Sequence, residues 1–133
     1  MNKRILGLLI LMSLFFILAG CNTNNKTARI EITSNYWMSL FAPGQEPHET
    51  TLYYEVKEGD VIEASFEYPI KITVKKITVD TVEIETDVEL EVMDDTYYLG
   101  TKFVITVDKT LALQTPTSDF GAWYKISIQS ISG

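Results

Sequence analysis

From Val82 to Val92 the chain reads VEIETDVELEV. One set of alternate positions is acidic throughout, Glu83, Glu85, Asp87, Glu89 and Glu91, and the other is apolar at every position except Thr86. A helix would scatter the five acids around its circumference, whereas a strand puts them all on one face. A strand with one apolar face needs a second apolar layer to cover it.

The same period of two recurs along the chain. ARIEIT carries Ile30 and Ile32, TLYYEV carries Leu52, Tyr54 and Val56, and VIEASFEY carries Ile62, Ala64, Phe66 and Tyr68. KFVITV carries Phe103, Ile105 and Val107, and WYKISI carries Tyr124, Ile126 and Ile128. From Ala28 onward no stretch keeps apolar residues at helical spacing over three turns. Turn-forming residues separate the alternating runs: Pro43-Gly44, Glu58-Gly59-Asp60, Asp80-Thr81, Asp94-Asp95, Gly100 and Pro116. The pattern predicts an all-β domain over residues 28–133, a two-layer antiparallel β-sandwich with an immunoglobulin-like order as one option.

One hairpin can be predicted residue by residue. With Asp80-Thr81 as its turn, Val79 faces Val82, Ile77 faces Ile84 and Lys76 faces Glu85. The apolar phase then slips on the incoming strand, because Ile70, Ile72 and Val74 are even-numbered while Ile77 and Val79 are odd. A single bulge, with Lys75 and Lys76 both opposite Glu85, restores the match. Ile72 then faces Val88, Ile70 faces Leu90, Thr73 faces Asp87 and Lys71 faces Glu89, with no slip on the outgoing strand.

The first 20 residues have a different character. Lys3 and Arg4 precede an apolar run of 14 residues from Ile5 to Leu18, followed by Ala19-Gly20 and then Cys21, the only cysteine. A charged start, a short apolar core and small residues at its end make a secretory leader. The run falls short of the roughly 20 residues a spanning helix needs. Leu18-Ala19-Gly20-Cys21 resembles the lipobox of bacterial membrane lipoproteins. That resemblance implies cleavage before Cys21, a diacylglycerol on its sulfur, and anchorage on the extracytoplasmic face of the cell membrane. It divides the chain into a leader (1–20), a lipidated cysteine with a polar tether (21–27, Asn22 to Thr27 reading NTNNKT), and the β domain (28–133).

Once Lys3 and Arg4 are removed, nine basic residues face 18 acidic ones. This balance excludes nucleic acid as a partner, because phosphate binding needs a basic footprint. It also repels anionic headgroups, so the lipid rather than charge would hold the domain at the membrane. No cysteine is left for a disulfide.

The candidate sites each have a plain structural account beside the chemical one. The acidic row lacks the convergent oxygens that calcium needs, and reads as a solvated sheet face partly paired with Lys71, Lys75 and Lys76. Asp94-Asp95 with Thr96 reads as turn chemistry. His48, flanked by Glu46 and Glu49 in the loop APGQEPHE, has neither a second histidine for zinc nor a marked nucleophile for general-base work. Asp119-Phe120-Gly121 matches a kinase motif without its context.

The aromatic pairs Tyr36-Trp37 and Trp123-Tyr124 carry the best functional signal. Each places one ring on either face of a strand, so one can be core and the other a platform for a sugar ring or a partner's apolar group. Tyr53 and Tyr97-Tyr98 are candidates to extend it.

The sequence thus points to a membrane-tethered binding or accessory module for a protein or glycan, with no cofactor, no metal site and no catalytic machinery. The rival reading is a structural or hydrolase-inhibiting lipoprotein acting through loops such as Pro43–Glu49, by analogy with small immunoglobulin-like inhibitors of cysteine proteases.

Overall fold

The computed structural model describes residues 25–38, 48–64, 69–94, 96–117 and 119–133. Cys21, residues 1–20, Phe66, Tyr68, Asp95 and the expected Pro43-Gly44 turn lie outside them. The described chain is all β: β1 (Thr27–Met38), β2 (Thr50–Val56), β3 (Val61–Glu63), β4 (Lys71–Ile77), β5 (Thr81–Val92), β6 (Leu99–Thr106), β7 (Leu111–Gln114) and β8 (Phe120–Ser132). All pairings are antiparallel, in the order β2-β1-β8-β7-β5-β4-β3, with β6 paired to β5.

This single sheet curls until its two halves face each other. Ile30, Ile32, Leu113, Tyr124 and Ile126 from one half share a buried cluster with Ile72, Val74, Val82, Ile84, Leu90 and Ile105 from the other. The residues between them on each strand point outward, so alternation in the sequence becomes the inside and outside of the fold. Burying a side chain of this size stabilises by about 1.5–3 kcal/mol, and the Val- and Ile-rich strands supply many such residues.

The β4–β5 hairpin keeps its expected bulge and changes its register. The turn is Thr78–Thr81, with Val79 and Asp80 at its tip, so Ile77 pairs with Val82 and Ile72 with Thr86. Thr78 causes the difference. Its amide donates to the Thr81 carbonyl (2.9 Å), and its hydroxyl oxygen accepts the Thr81 amide (3.0 Å). Val79, expected opposite Val82, is 77% exposed. The bulge sits at Lys75, between the Val74–Ile84 and Lys76–Glu83 pairs.

Two further expectations are corrected. Val88 was placed on the core face, but Asp87, Val88 and Glu89 are all exposed. Here β5 passes from one pair of neighbours to another. Its first half lies between β4 and β6; after a break in the β6 ladder between Glu85 and Leu90, Leu90 and Glu91 rejoin β6 while Glu91 and Val92 pair with β7 in place of β4. The Thr86 hydroxyl donates to the Val88 carbonyl (2.7 Å), satisfying an acceptor that the interrupted ladder leaves open. Gly100, expected in a turn, instead lies within β6 opposite Leu90. The Tyr98 ring folds over it and meets Phe103 edge-on (centroids 5.7 Å, interplanar angle 88°). The Glu58-Gly59-Asp60 turn is present, closed by Asp60 N to the Lys57 carbonyl (3.1 Å), with Gly59 at φ 91°.

Candidate functional site

The register of β1 against β8 decides where the four candidate aromatics point. Ser34 pairs with Tyr124 and Tyr36 with Ala122 on the inner face, whereas Asn35 pairs with Trp123 and Trp37 with Gly121 on the outer face. Tyr124 is fully buried, and Tyr36 is half-buried against the core. Those two therefore serve the core. The two tryptophans are half-buried and lie as diagonal neighbours on the outer face of the β1–β8 ladder.

Both indoles are held in place. A Cβ on Gly121 would stand 2.5 Å from Trp37 Cζ2, 2.2 Å from Thr115 Oγ1 and 2.6 Å from Thr117 Oγ1, so only glycine lets the Trp37 ring settle on the β8 backbone. Thr115 is fixed from below: its amide donates to the Ala122 carbonyl (2.9 Å), and its hydroxyl oxygen accepts the Ala122 amide (3.0 Å). The Lys125 ammonium lies 5.0 Å from the centroid of Trp123, an exposed cation–π contact of about 0.5–1 kcal/mol. On β2, Tyr53 is 57% exposed with the Arg29 guanidinium 5.8 Å from its centroid.

Between the rings the face is polar, with the Thr33 and Thr51 hydroxyls 3.1 Å apart and Gln129 donating to Glu31 (2.8 Å). Arg29 and Lys125 balance Glu31 and Glu55, so this face is neutral on an otherwise acidic domain. Flat aromatic surface ringed by hydrogen-bonding groups suits a sugar or a partner's polar–apolar patch.

The acidic row occupies the outer face of the opposite layer. Lys75 Nζ is 3.7 Å from Glu85 Oε2, Lys102 pairs with Glu85 across the ladder, and Lys76 pairs with Glu83. The expected Lys71–Glu89 and Lys76–Glu85 pairings are replaced, and Asp87 instead accepts the backbone amide of Lys71 (2.9 Å). Glu91 accepts from Gln114 (3.3 Å). Lys75, Glu83, Glu85, Lys102, Phe103 and Val104 line an open concavity of about 430 Å³. Exposed pairs of this kind contribute about 0–1 kcal/mol each. Among the described residues, no group of three or more His, Cys, Asp or Glu side chains is arranged to hold a metal ion.

The remaining candidates among the described residues are exposed. His48 and Glu49 are exposed just before β2. Asp94 caps the turn by accepting from the Thr96 hydroxyl and from the Thr96 amide (2.8 Å), which together hold its carboxyl below the usual carboxylate range. Tyr97 is 83% exposed and has a left-handed backbone, φ 53°, a strained conformation for an aromatic residue. Compared with protein-family models, curated proteins and solved structures, the chain matches none.

Sequence reasoning did not anticipate the Lys125–Trp123 and Arg29–Tyr53 contacts. The first was within reach of it: residues two apart on a strand share a face. The second, like the seat of Trp37 on Gly121, depends on which strands become neighbours.

Proposed function

We propose that the protein is a non-catalytic, lipid-anchored binding module on the extracytoplasmic face of a cell membrane, meeting a glycan or protein partner through Trp37 and Trp123. The observation that carries this reading is their position side by side on a neutral, outward sheet face, seated by Gly121 and Lys125. Rings held in fixed orientations lose little freedom when a ligand stacks on them. The lipobox-like Leu18–Cys21 segment supports the anchor. The sequence holds one histidine, His48, with no marked nucleophile beside it, which supports a role without catalysis.

Two comparisons test this. Membrane-extracted wild-type protein is compared with Cys21→Ser, which should lose the diacylglycerol mass and leave the membrane fraction. Binding across a glycan array and to proteins cross-linked on the native membrane is then compared between wild type and the Trp37→Ala and Trp123→Ala variants. Loss of a specific ligand in both tryptophan variants, with folding intact, is the expected result. A ligand retained by both overturns the site, and a Cys21→Ser protein that keeps its lipid overturns the anchor.

A further inference from the structure

The point where the chain enters the domain shares one end of the sheet with three turns. Lys26 Nζ donates to the Gly133 carbonyl (3.1 Å), which brings both chain ends of the domain together. Ala28 pairs with Val56, so the 57–60 turn lies beside them. The Glu58 carboxylate accepts the Ile77 amide (3.0 Å), joining that turn to the Thr78–Thr81 turn. The Asp80 carbonyl accepts the Val107 amide (3.0 Å), joining it in turn to the 106–110 connection that leads into β7. The β7–β8 and β8–β1 pairings complete the circuit.

This end differs in chemistry from the rest of the molecule. Val79 is 77% exposed and Val107 is 46% exposed, at the tips of adjoining turns. Lys26, Lys57, Lys76 and Lys109 frame them, beside Glu58, Asp60, Asp80, Asp108 and Glu83, the cross-strand partner of Lys76. Four basic and five acidic side chains leave this end near neutral. The rest of the chain from Cys21 onward has five basic residues against 13 acidic ones. An anionic bilayer repels the acidic-row face most, and this end and the neutral β1–β8 face least.

The tether restricts the choice further. Asn25 is four residue steps beyond Cys21, and four steps reach at most about 14 Å when fully extended. Trp37 lies ten residues along β1 from Thr27, about 33 Å at strand rise. A lipid on Cys21 therefore holds the entry end within about 14 Å of the bilayer, whereas the Trp37 end reaches it only if the domain lies down on one side.

We infer that the end formed by the 57–60, 78–81 and 106–110 turns rests on the lipid surface, with Val79 and Val107 in the headgroup region and the four lysines reaching headgroup phosphates. The inference rests on the reading that Cys21 is lipidated. The acyl chains supply the affinity, and this end supplies the orientation, holding the tryptophan face upright and clear of the bilayer. Lysine stems lie along apolar surface while their ammonium groups stay in water, which suits them to this position.

The test uses the full lipidated protein in phosphatidylcholine–phosphatidylglycerol vesicles containing brominated lipid. An environment-sensitive fluorophore is placed at Val79→Cys or, as the far-end control, at Asp119→Cys. Both sites are exposed, so neither change removes a core contact. Expected are loss of most of the emission at 79, unchanged emission at 119, and unchanged tryptophan emission. A label at 79 that is unquenched on protein that floats with the vesicles overturns the end-on contact. Quenched tryptophans also overturn it, because the domain would then be lying on its β1–β8 face. Protein that neither floats nor carries the lipid mass refutes the anchor itself, and the inference with it.

Discussion

Tyr54 on β2 donates its phenolic hydrogen bond to the main-chain carbonyl of Glu63 on β3. These strands are consecutive in the chain, yet they form the two ends of the hydrogen-bonded order. One side chain thus bridges a seam that no ladder crosses. Burial, and then the negative charge of Glu63, raise the phenol's pKa above its ordinary value of 10.0.

Tyr54→Phe removes that bridge and should cost about 0.5–1.5 kcal/mol in denaturant unfolding at neutral pH. The pH dependence has a definite sign. A raised folded-state pKa means stability is fully present below pH 10.0 and is lost as pH rises through the folded value. Wild type should therefore lose more stability than Tyr54→Phe above that pH. Parallel alkaline profiles would show that the phenol is not coupled to folding.

Asp94 has the opposite sign. Hydrogen bonds from the Thr96 hydroxyl and then its amide lower the carboxyl's pKa below 3.8. Its contribution is present above that value and lost as pH falls through the folded one. Asp94→Ala should therefore flatten the acid limb of the pH–stability curve and leave the alkaline limb unchanged. Acid titration followed by circular dichroism measures this.

Gly121→Ala should destabilise by about 1–3 kcal/mol, because the added methyl meets Thr115, Trp37 and Thr117 at once. Trp37 emission should shift as the ring is pushed into solvent. Gly100→Ala should cost less, since the three atoms nearest the added methyl all belong to the outer end of the Tyr98 ring, which can swing aside. Equal costs for the two would contradict this account of the Trp37 seat.

Adjacent residues Trp123 and Tyr124 should respond in opposite ways. Tyr124→Ala opens a cavity in the buried cluster and should cost about 3–5 kcal/mol. Trp123→Ala removes a half-buried outer ring and its Lys125 contact, and should cost about 1 kcal/mol. Unfolding midpoints with matched m-values separate the two.

Tyr97→Asn should raise stability by up to about 1 kcal/mol, because asparagine tolerates the left-handed backbone that tyrosine holds at φ 53°. A loss of stability would mean that the exposed ring makes an offsetting contact in solution.

The β4–β5 hairpin shows how far the sequence could be read. Its two strands, the bulge at Lys75 and the face of each paired residue follow from alternation. The expected register is displaced by two residues from the observed one, Ile72 facing Thr86 instead of Val88. A slip of one would have sent every apolar side chain to solvent, but a slip of two leaves each on its own face. Hydrophobic pattern therefore does not distinguish these registers. The Thr78 hydroxyl does, by closing the turn one residue earlier in the chain. The same limit applies to the aromatic pairs: alternation separates Tyr36 from Trp37 and Trp123 from Tyr124, but does not say which of each pair faces in.

By itself, the sequence determined the class of structure and the division of its residues: antiparallel strands and two kinds of face. These are local properties, set by a period of two and by runs of composition. Only the tertiary structure decided that β1 lies beside β8, so that Trp37 and Trp123 share one outer surface while Tyr124 fills the core. It also decided that β5 changes partners midway and exposes Val88, and that Tyr54 closes the seam to β3. Each depends on which distant segments become neighbours as the sheet curls, and a residue's own alternation carries no record of its partner.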